Sequence, residues 1–435
     1  MQRCALQRPL RISRKHLVME TPQIAILVRS FTGGGMERML VTLAGGFARR
    51  GYRTSLWVGV PHGALRTGVP AGVEVVQLRR SLPLIGRLAA ASVHPTMDRS
   101  MLSLFGATSP SMMSRLPDLA RQMRERRPDV LFAAGTQSNV AALWARKLSG
   151  VDTRIVVSER NTLSVVTKEG RGGFRRAYHL WAGQFYPGAD AIVSVSNGVA
   201  DDLSRTTAIA RECITVLPNP VVSPQLLAHA SEPLQHPWLD DAAVPLLLAA
   251  GRLHRQKDFP TLLRAFARVR AERPVRLVIL GEGSERRRLE RLVQELRIAP
   301  DVALPGFSHN PWAWMSRAAL FVLSSAWEGI ANVLIEALAC GCPVVSTDCP
   351  GGPREILSGG VGELTAIGDD RDLAAAILRS LGRTHDRAWL RSQAAGYSVE
   401  RSLDRHLEVL LAPGRRGDSG QRAHHQQQHQ HHQQQ

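Results

Sequence analysis

Glu328 and Glu336 stand with seven residues between them in the segment SAWEGIANVLIEALACGCPVVSTDCPGGPRE, residues 325–355. Gly329 makes the first carboxylate part of a loop, and the apolar pattern after it predicts a helix over 333–340 with Asn332 as its cap. Backbone N–H groups around Ala331 to Leu334 are then bare and form an anion site facing the loop. Ile330, Ala331, Asn332 and Val333 would present that backbone. A carboxylate before the helix, N–H groups at its start and a carboxylate one turn in suit a ligand that joins a sugar, a diphosphate and a ribose. Two cations stand upstream, Arg252 and Lys257, after an apolar run that ends at Gly251. Arginine offers a bidentate fork and lysine a compact charge, a useful combination for two phosphates. Structural readings exist for each: surface cations at a strand exit, a loop acid paired to an arginine (Glu328), and a charge complementing a helix dipole (Glu336). His254, between the cations, reads as a surface or packing residue.

A second group lies near the start of the chain. Gly33, Gly34 and Gly35 in TGGGMER, residues 32–38, let backbone approach a phosphate closely, as residues without Cβ can. The glycines are consecutive and lack the third glycine of a dinucleotide fingerprint. Glu37 reads either as a ligand contact or as a helix cap. Glu159, Arg160 and Asn161 follow the strand-like RIVVS. Arg160 either neutralises an anionic group or pairs with Glu159 or Asp152. Asp370-Arg371-Asp372 spells an acidic pair that could hold a metal, but it opens an apolar-periodic helix and reads as a cap. With no convincing cluster of metal ligands, the sequence predicts chemistry without a metal or cofactor.

The elements that must position these residues alternate along the chain. Strands are predicted at 23–29, 53–60, 73–78, 129–134, 154–158 and 190–195, and helices at 36–50, 115–127, 138–149, 174–186 and 198–206. Strand, glycine turn, helix, strand is the opening of a parallel, doubly wound sheet. LPNPV, residues 217–221, interrupts the pattern, since two prolines in three residues favour an extended connection. A second alternating unit begins at Pro245 and runs to a helix at 370–382, with a last helix at about 399–411. The division is a basic arm (1–20), a first domain (21–216), a linker (217–224), a second domain (225–398), a terminal helix (399–412) and a His/Gln-rich tail (413–435) that lacks apolar groups to bury. Residues 80–114 are irregular. Leu82, Leu84, Ile85, Leu88, Met97, Met101, Leu102, Leu104 and Phe105 could form a lipid-facing surface there, but packing against the sheet is the favoured reading.

Together these segments resemble the retaining, nucleotide-sugar-dependent glycosyltransferases of family four. The resemblance rests on the Glu pair, TGGGMER, SERN (158–161), LPNPV, GRLHRQKDFPTLLRAF (251–266), LGEGSERRRLERL (280–292) and LPGFSHNPWAWMSRAALFVLSS (304–325), and covers most of 23–411. It implies the B-type fold: two Rossmann-like domains facing across a cleft, with the last helix returning to the first domain. It implies a donor site of Gly34, Gly35, Arg252, Lys257, Glu328, Gly329, Ile330, Ala331, Asn332, Val333 and Glu336. Arg252 and Lys257 would bind the diphosphate, Glu328 the sugar and Glu336 the ribose, with Glu328, Arg252 and Lys257 catalytic. Glu159, Arg160 and Asn161 would face the acceptor. Two departures stand out: Ala331 replaces the usual proline, and Arg160 stands where several relatives place a histidine.

Composition narrows the partners. The net charge is +18, from 55 basic and 37 acidic residues, which favours anionic partners. Aromatics are 5% and do not alternate with the basic residues, so nucleic acid is not expected. No apolar run approaches the ~18 residues of a membrane span, and no leader is evident. The chain is expected to be cytoplasmic, or peripheral on the inner face of the cytoplasmic membrane. Arg3, Arg8, Arg11, Arg14 and Lys15 would add affinity for an anionic surface, unless translation starts at Met19. The five cysteines, Cys4, Cys213, Cys340, Cys342 and Cys349, have no redox or zinc spacing. The expected partners are a nucleotide-sugar donor, with UDP favoured over GDP, and a glycolipid or oligosaccharide acceptor. The rivals are an epimerase or phosphorylase on the same fold, and a basic binding protein without activity.

Overall fold

The computed structural model describes residues 21–32, 34–93, 111–169, 173–240 and 243–413. The basic arm, Gly33, Met97 to Phe105, Cys4 and the His/Gln-rich tail lie outside the described residues.

Two parallel sheets form the frame. The first contains β1 (Gln23–Ser30), β2 (Arg53–Val60), β3 (Val73–Gln77), β4 (Val130–Ala134), β5 (Arg154–Glu159), β6 (Ala191–Ser194) and β7 (Ile214–Val216), in the order β3-β2-β1-β4-β5-β6-β7. The second contains β8 (Leu246–Ala250), β9 (Arg276–Leu280), β10 (Val302–Gly306), β11 (Leu320–Leu323), β12 (Val344–Thr347) and β13 (Glu363–Thr365), in the order β10-β9-β8-β11-β12-β13. Helices cover both faces of each sheet, so central strands are buried on both sides and read as unbroken apolar runs. Every residue of β4 and β8 is buried.

Each sheet reverses its strand order beside its first strand, at β1/β4 and at β8/β11. Ligands of open α/β sheets bind outside the carboxyl ends of strands at such switch points. The glycine turn leaves β1 and Arg252 leaves β8, so both groups singled out by sequence emerge at a switch point.

The glycine turn feeds α1 (Gly35–Arg49). The last helix, Val399–Leu410, returns to pack on α1: Leu403 fills the space a side chain at Gly46 would need. Arg50 pairs with Glu400 and Asp404 at 2.9 and 2.6 Å. Val221 and Val222 N–H both donate to Tyr397 O at 3.0 Å, which ties the two chain crossings together.

The segment read as irregular contains α2 (Pro83–Ser92). The expected packing of its leucines is reversed. Gly86 and Ala90 are its buried residues, and Gly86 lies against the Met113 backbone. Leu82, Leu84, Ile85 and Leu88 remain exposed. Small residues allow the close approach, so the large apolar side chains turn outward. The helix expected over 174–186 is divided into Gly173–Arg176 and Tyr178–Phe185.

Candidate active site

The centre of the site is a short charged pair. Lys257 Nζ donates to Glu328 Oε1 at 2.5 Å, and Ser325 Oγ donates to the same oxygen at 2.6 Å. Glu328 is 6% exposed, so its charge must be matched by these partners. Its other carboxylate oxygen makes no hydrogen bond among the described residues. Lys257 ends a short 3₁₀ turn, Arg255–Lys257, that His254 caps by accepting the Gln256 N–H. The Glu328 loop is sewn to that turn: Ala326 N–H donates to Gln256 O, Gln256 Nε2 to Trp327 O, and Ser324 Oγ to Lys257 O. His254 thus shapes the turn that carries Lys257. Arg252 is exposed and makes no side-chain hydrogen bond or ion pair among the described residues. It is a free guanidinium at the carboxyl end of β8.

The first domain clamps the same loop. Thr162 Oγ1 donates to Glu328 O at 3.0 Å and Ser196 Oγ to Gly329 O at 2.8 Å. Glycine is required twice by the closeness of this contact. A Cβ on Gly329 would overlap Arg160 O, and one on Gly351, at φ +110°, would overlap Glu328 O. Gly329→Ala and Gly351→Ala should each cost about 1–3 kcal/mol through overpacking. At about 2–4 °C per kcal/mol, melting falls by roughly 2–12 °C. Scanning fluorimetry checks this against Gly188→Ala, where the added methyl meets nothing within 4 Å.

The helix after the loop, α3 (Asn332–Ala339), begins differently from its sequence expectation. Ala331 is the cap position and Asn332 makes no capping bond. Instead Asn332 Oδ1 accepts from Asn219 Nδ2 at 2.9 Å, tying the helix start to the LPNPV segment. Asn332 N–H is turned back to Ile330 O and Leu334 N–H to Ala331 O, so the helix offers fewer bare donors than expected. Ala331 is buried, and Ile330 rests on Gly352. Asn332 Nδ2 lies 4.0 Å from where a Gly35 Cβ would be, so α1 and α3 start against one another across the cleft. Gly34 is the side-chain-less cap of α1.

One turn into α3, Glu336 is half-buried beside Val333. Burial pushes its carboxyl above the usual range, while the charge of Arg38, the Trp312 indole and Lys257 pull it back. The indole nitrogen makes no well-formed hydrogen bond, so its effect is one of proximity.

The three residues expected on the acceptor side are not alike. Glu159 is fully buried and accepts four hydrogen bonds, from Arg160 N, Asn161 N, Thr136 Oγ1 and Tyr186 OH. It shapes the loop, and burial raises its proton affinity against those bonds. Arg160 is 7% exposed, and burial lowers it to about 10. Its Nη2 meets Met39 Sδ at 3.1 Å, and no ion pair to Glu159 or Asp152 forms. Asn161 alone of the three is exposed. Glu37 is engaged by Arg29 at 3.2 Å. Asp369, not Asp370, caps the helix Asp370–Leu381; Asp370 pairs with Arg268 and Asp372 accepts from Ala366 N. Cys340, Cys342 and Cys349 are free and buried, their thiols pushed up to about 12 by burial.

Sequence reasoning missed Thr162, Ser196, Ser325, Asn219 and Arg38. Ser325, Asn219 and Arg38 lie within segments it quoted, but nothing in the local pattern says what they face.

Known proteins extend these observations. The family described as Glycosyltransferase Family 4 matches residues 33–223, and the one described as Glycosyl transferases group 1 matches residues 244–383. The chain is 35% identical over 231 residues to the N-acetylgalactosamine-N,N'-diacetylbacillosaminyl-diphospho-undecaprenol 4-alpha-N-acetylgalactosaminyltransferase of Campylobacter jejuni, across 52% of this chain and 60% of that protein. In structure it is similar to the apo form of the lipopolysaccharide outer core galactosyltransferase WaaB, with TM-score 0.66 and 20% identity over 90% of this chain and 99% of that one. It is equally similar to Anabaena Alr3699/HepE in complex with UDP-glucose, with TM-score 0.67 and 20% identity over 90% of this chain and 100% of that one. Two parallel sheets facing across a cleft are the B-type fold of those structures. With one family matched in each half, the chain belongs to the family-four glycosyltransferases.

Proposed function

We propose that the protein transfers a sugar from a nucleotide sugar, a UDP-sugar in preference to GDP-mannose, to a lipid-linked or cell-surface polysaccharide or lipopolysaccharide intermediate, with retention of configuration. The observation that carries this reading is the Lys257–Glu328 pair beside the unpaired Arg252, at the carboxyl end of β8 and against the start of α3. Arg252 and Lys257 stabilise the leaving diphosphate, the electrostatic term that dominates such reactions. Glu328 holds the donor sugar through its open carboxylate oxygen, and Glu336 accepts hydrogen bonds from the two ribose hydroxyls. The acceptor hydroxyl attacks the same face that the phosphate leaves. The cations supply the charge that a metal would otherwise supply, so transfer proceeds in chelator. The lipid-linked acceptor draws support from the Campylobacter relative, whose name carries a diphospho-undecaprenol. UDP draws support from the HepE complex.

The test is calorimetric titration of the full chain with UDP, UDP-glucose, UDP-N-acetylglucosamine and GDP-mannose. Binding of one nucleotide class, lost in Glu336→Ala, is expected. A folded protein that binds none overturns the reading, and epimerised donor without free nucleotide would favour the epimerase alternative.

The same reading places the protein on the inner face of the cytoplasmic membrane. No helix among the described residues is long and apolar enough to cross a membrane. At the cap of α2 Leu82, and on the helix Leu84 and Leu88, are 71, 62 and 58% exposed, and Arg79 and Arg80 precede them in exposed positions. Apolar side chains beside cations match an anionic lipid surface. Leu84→Ser with Leu88→Ser should lower co-sedimentation with phosphatidylglycerol vesicles at least threefold. Unchanged sedimentation would contradict this placement.

A further inference from the structure

We infer that Arg38, on the first domain, is a donor-binding residue that completes the nucleotide site of the second domain when the cleft is closed. The inference rests on the nucleotide-sugar reading above.

Two helix starts meet across the cleft, Gly35 of α1 and Asn332 of α3, and neither helix has a side-chain cap. One turn along α1 is Arg38, and one turn along α3 is Glu336, so the meeting of the starts sets these two side chains toward the same gap. Arg38 is exposed and makes no side-chain hydrogen bond or ion pair among the described residues. Its neighbour Glu37 does not serve it, because Arg29 already holds that carboxylate at 3.2 Å. The Arg38 charge acts on the Glu336 carboxyl, yet no ion pair within 4.0 Å joins them. A ligand group that reaches both would lie between a cation of one domain and a carboxylate of the other. A nucleotide sugar with its ribose on Glu336 would bring its diphosphate into reach of the Arg38 fork.

This arrangement gives Arg38 two effects. It contacts the donor directly, and its charge favours the ionised form of Glu336, the form that can accept from both ribose hydroxyls. Burial works against ionisation, and Arg38 is the largest influence opposing it. The other groups facing Glu336 are Lys257 from the 3₁₀ turn, the Trp312 indole from helix Pro311–Met315, and the Cys340 thiol, which burial pushes up to about 12 and so keeps neutral, with Arg391 beside it. Of these, only Arg38 belongs to the first domain. Donor affinity thereby depends on closure, and the donor is held fully only when the acceptor domain is in place.

The test is binding of UDP-glucose or GDP-mannose, whichever the wild type binds more tightly, between pH 4.5 and 8. Neither diphosphate diester titrates in that range, so the profile reports the protein. Glu336 has a raised proton affinity, so wild-type binding weakens as pH falls, with a midpoint above the ordinary 4.5. Arg38→Gln should weaken binding about tenfold at pH 7.5, as loss of one charge-assisted phosphate contact does. It should also move the midpoint to higher pH, because Glu336 then keeps its proton longer. Arg38→Lys should restore the midpoint. A purely structural role would leave the midpoint in place. Arg38→Gln with wild-type affinity and midpoint, while Glu336→Ala loses binding, overturns this inference alone. Failure of the folded wild type to bind either donor overturns it together with the site reading.

Discussion

Lys257→Ala lowers the rate of donor turnover about 10²- to 10³-fold, the range seen when one preorganised group that stabilises developing charge is removed. Two losses coincide at this residue. The leaving diphosphate loses a cation, and Glu328 loses the 2.5 Å partner that holds its carboxylate in place. The second loss distinguishes Lys257 from Arg252. Arg252 is bound to nothing among the described residues, so its removal weakens phosphate binding without disturbing Glu328. A buried carboxylate left without its cation is destabilising. Lys257→Ala should therefore also melt a few degrees lower, while Arg252→Ala should melt as the wild type does. Steady-state nucleotide release and scanning fluorimetry check both parts. A Lys257→Ala rate within threefold of wild type would move the diphosphate site elsewhere.

The second large effect is a division of labour between the two glutamates. Glu336→Ala should raise the dissociation constant for nucleotide at least tenfold, because a carboxylate accepting from two ribose hydroxyls is lost. Glu328→Ala should leave that constant within about threefold and lower kcat about 10²- to 10³-fold, since its contact with the sugar matters most where the sugar reacts. Its place supports the split. Glu328 is held by Lys257 and Ser325 on the loop, whereas Glu336 faces Arg38 and Trp312 on the helix. Equilibrium binding and single-turnover rates for both variants separate the roles. Identical profiles for the two would dissolve the assignment.

Much of this architecture is legible in the chain itself. Strands buried on both faces carry no alternation, and runs such as LLLAA and VLFAA announce them directly. The helix Phe259–Glu272 is equally plain, because its apolar stripe is regular and Pro260 starts it. The three-residue strands β7 and β13 lie at sheet edges, and too few residues carry a pattern there. The helix α2 was hidden because it packs through Gly86 and Ala90, so its apolar residues mark the wrong face. At the site, residue types and spacing revealed which groups carry charge, but not what faces them. Asn332 reads locally as a cap; its real partner, Asn219, is 113 positions away. Glu159 and Arg160 read as a polar loop, yet the fold buries both, and only long-range packing decides that.

The most direct test of the central claim is nucleotide release by the purified full chain from a panel of UDP- and GDP-sugars, with and without bacterial membrane extract. The account predicts release from one donor, stimulated by the extract and lost in Glu328→Ala. A folded protein that neither binds nor releases any nucleotide, in the presence of extract, would contradict it.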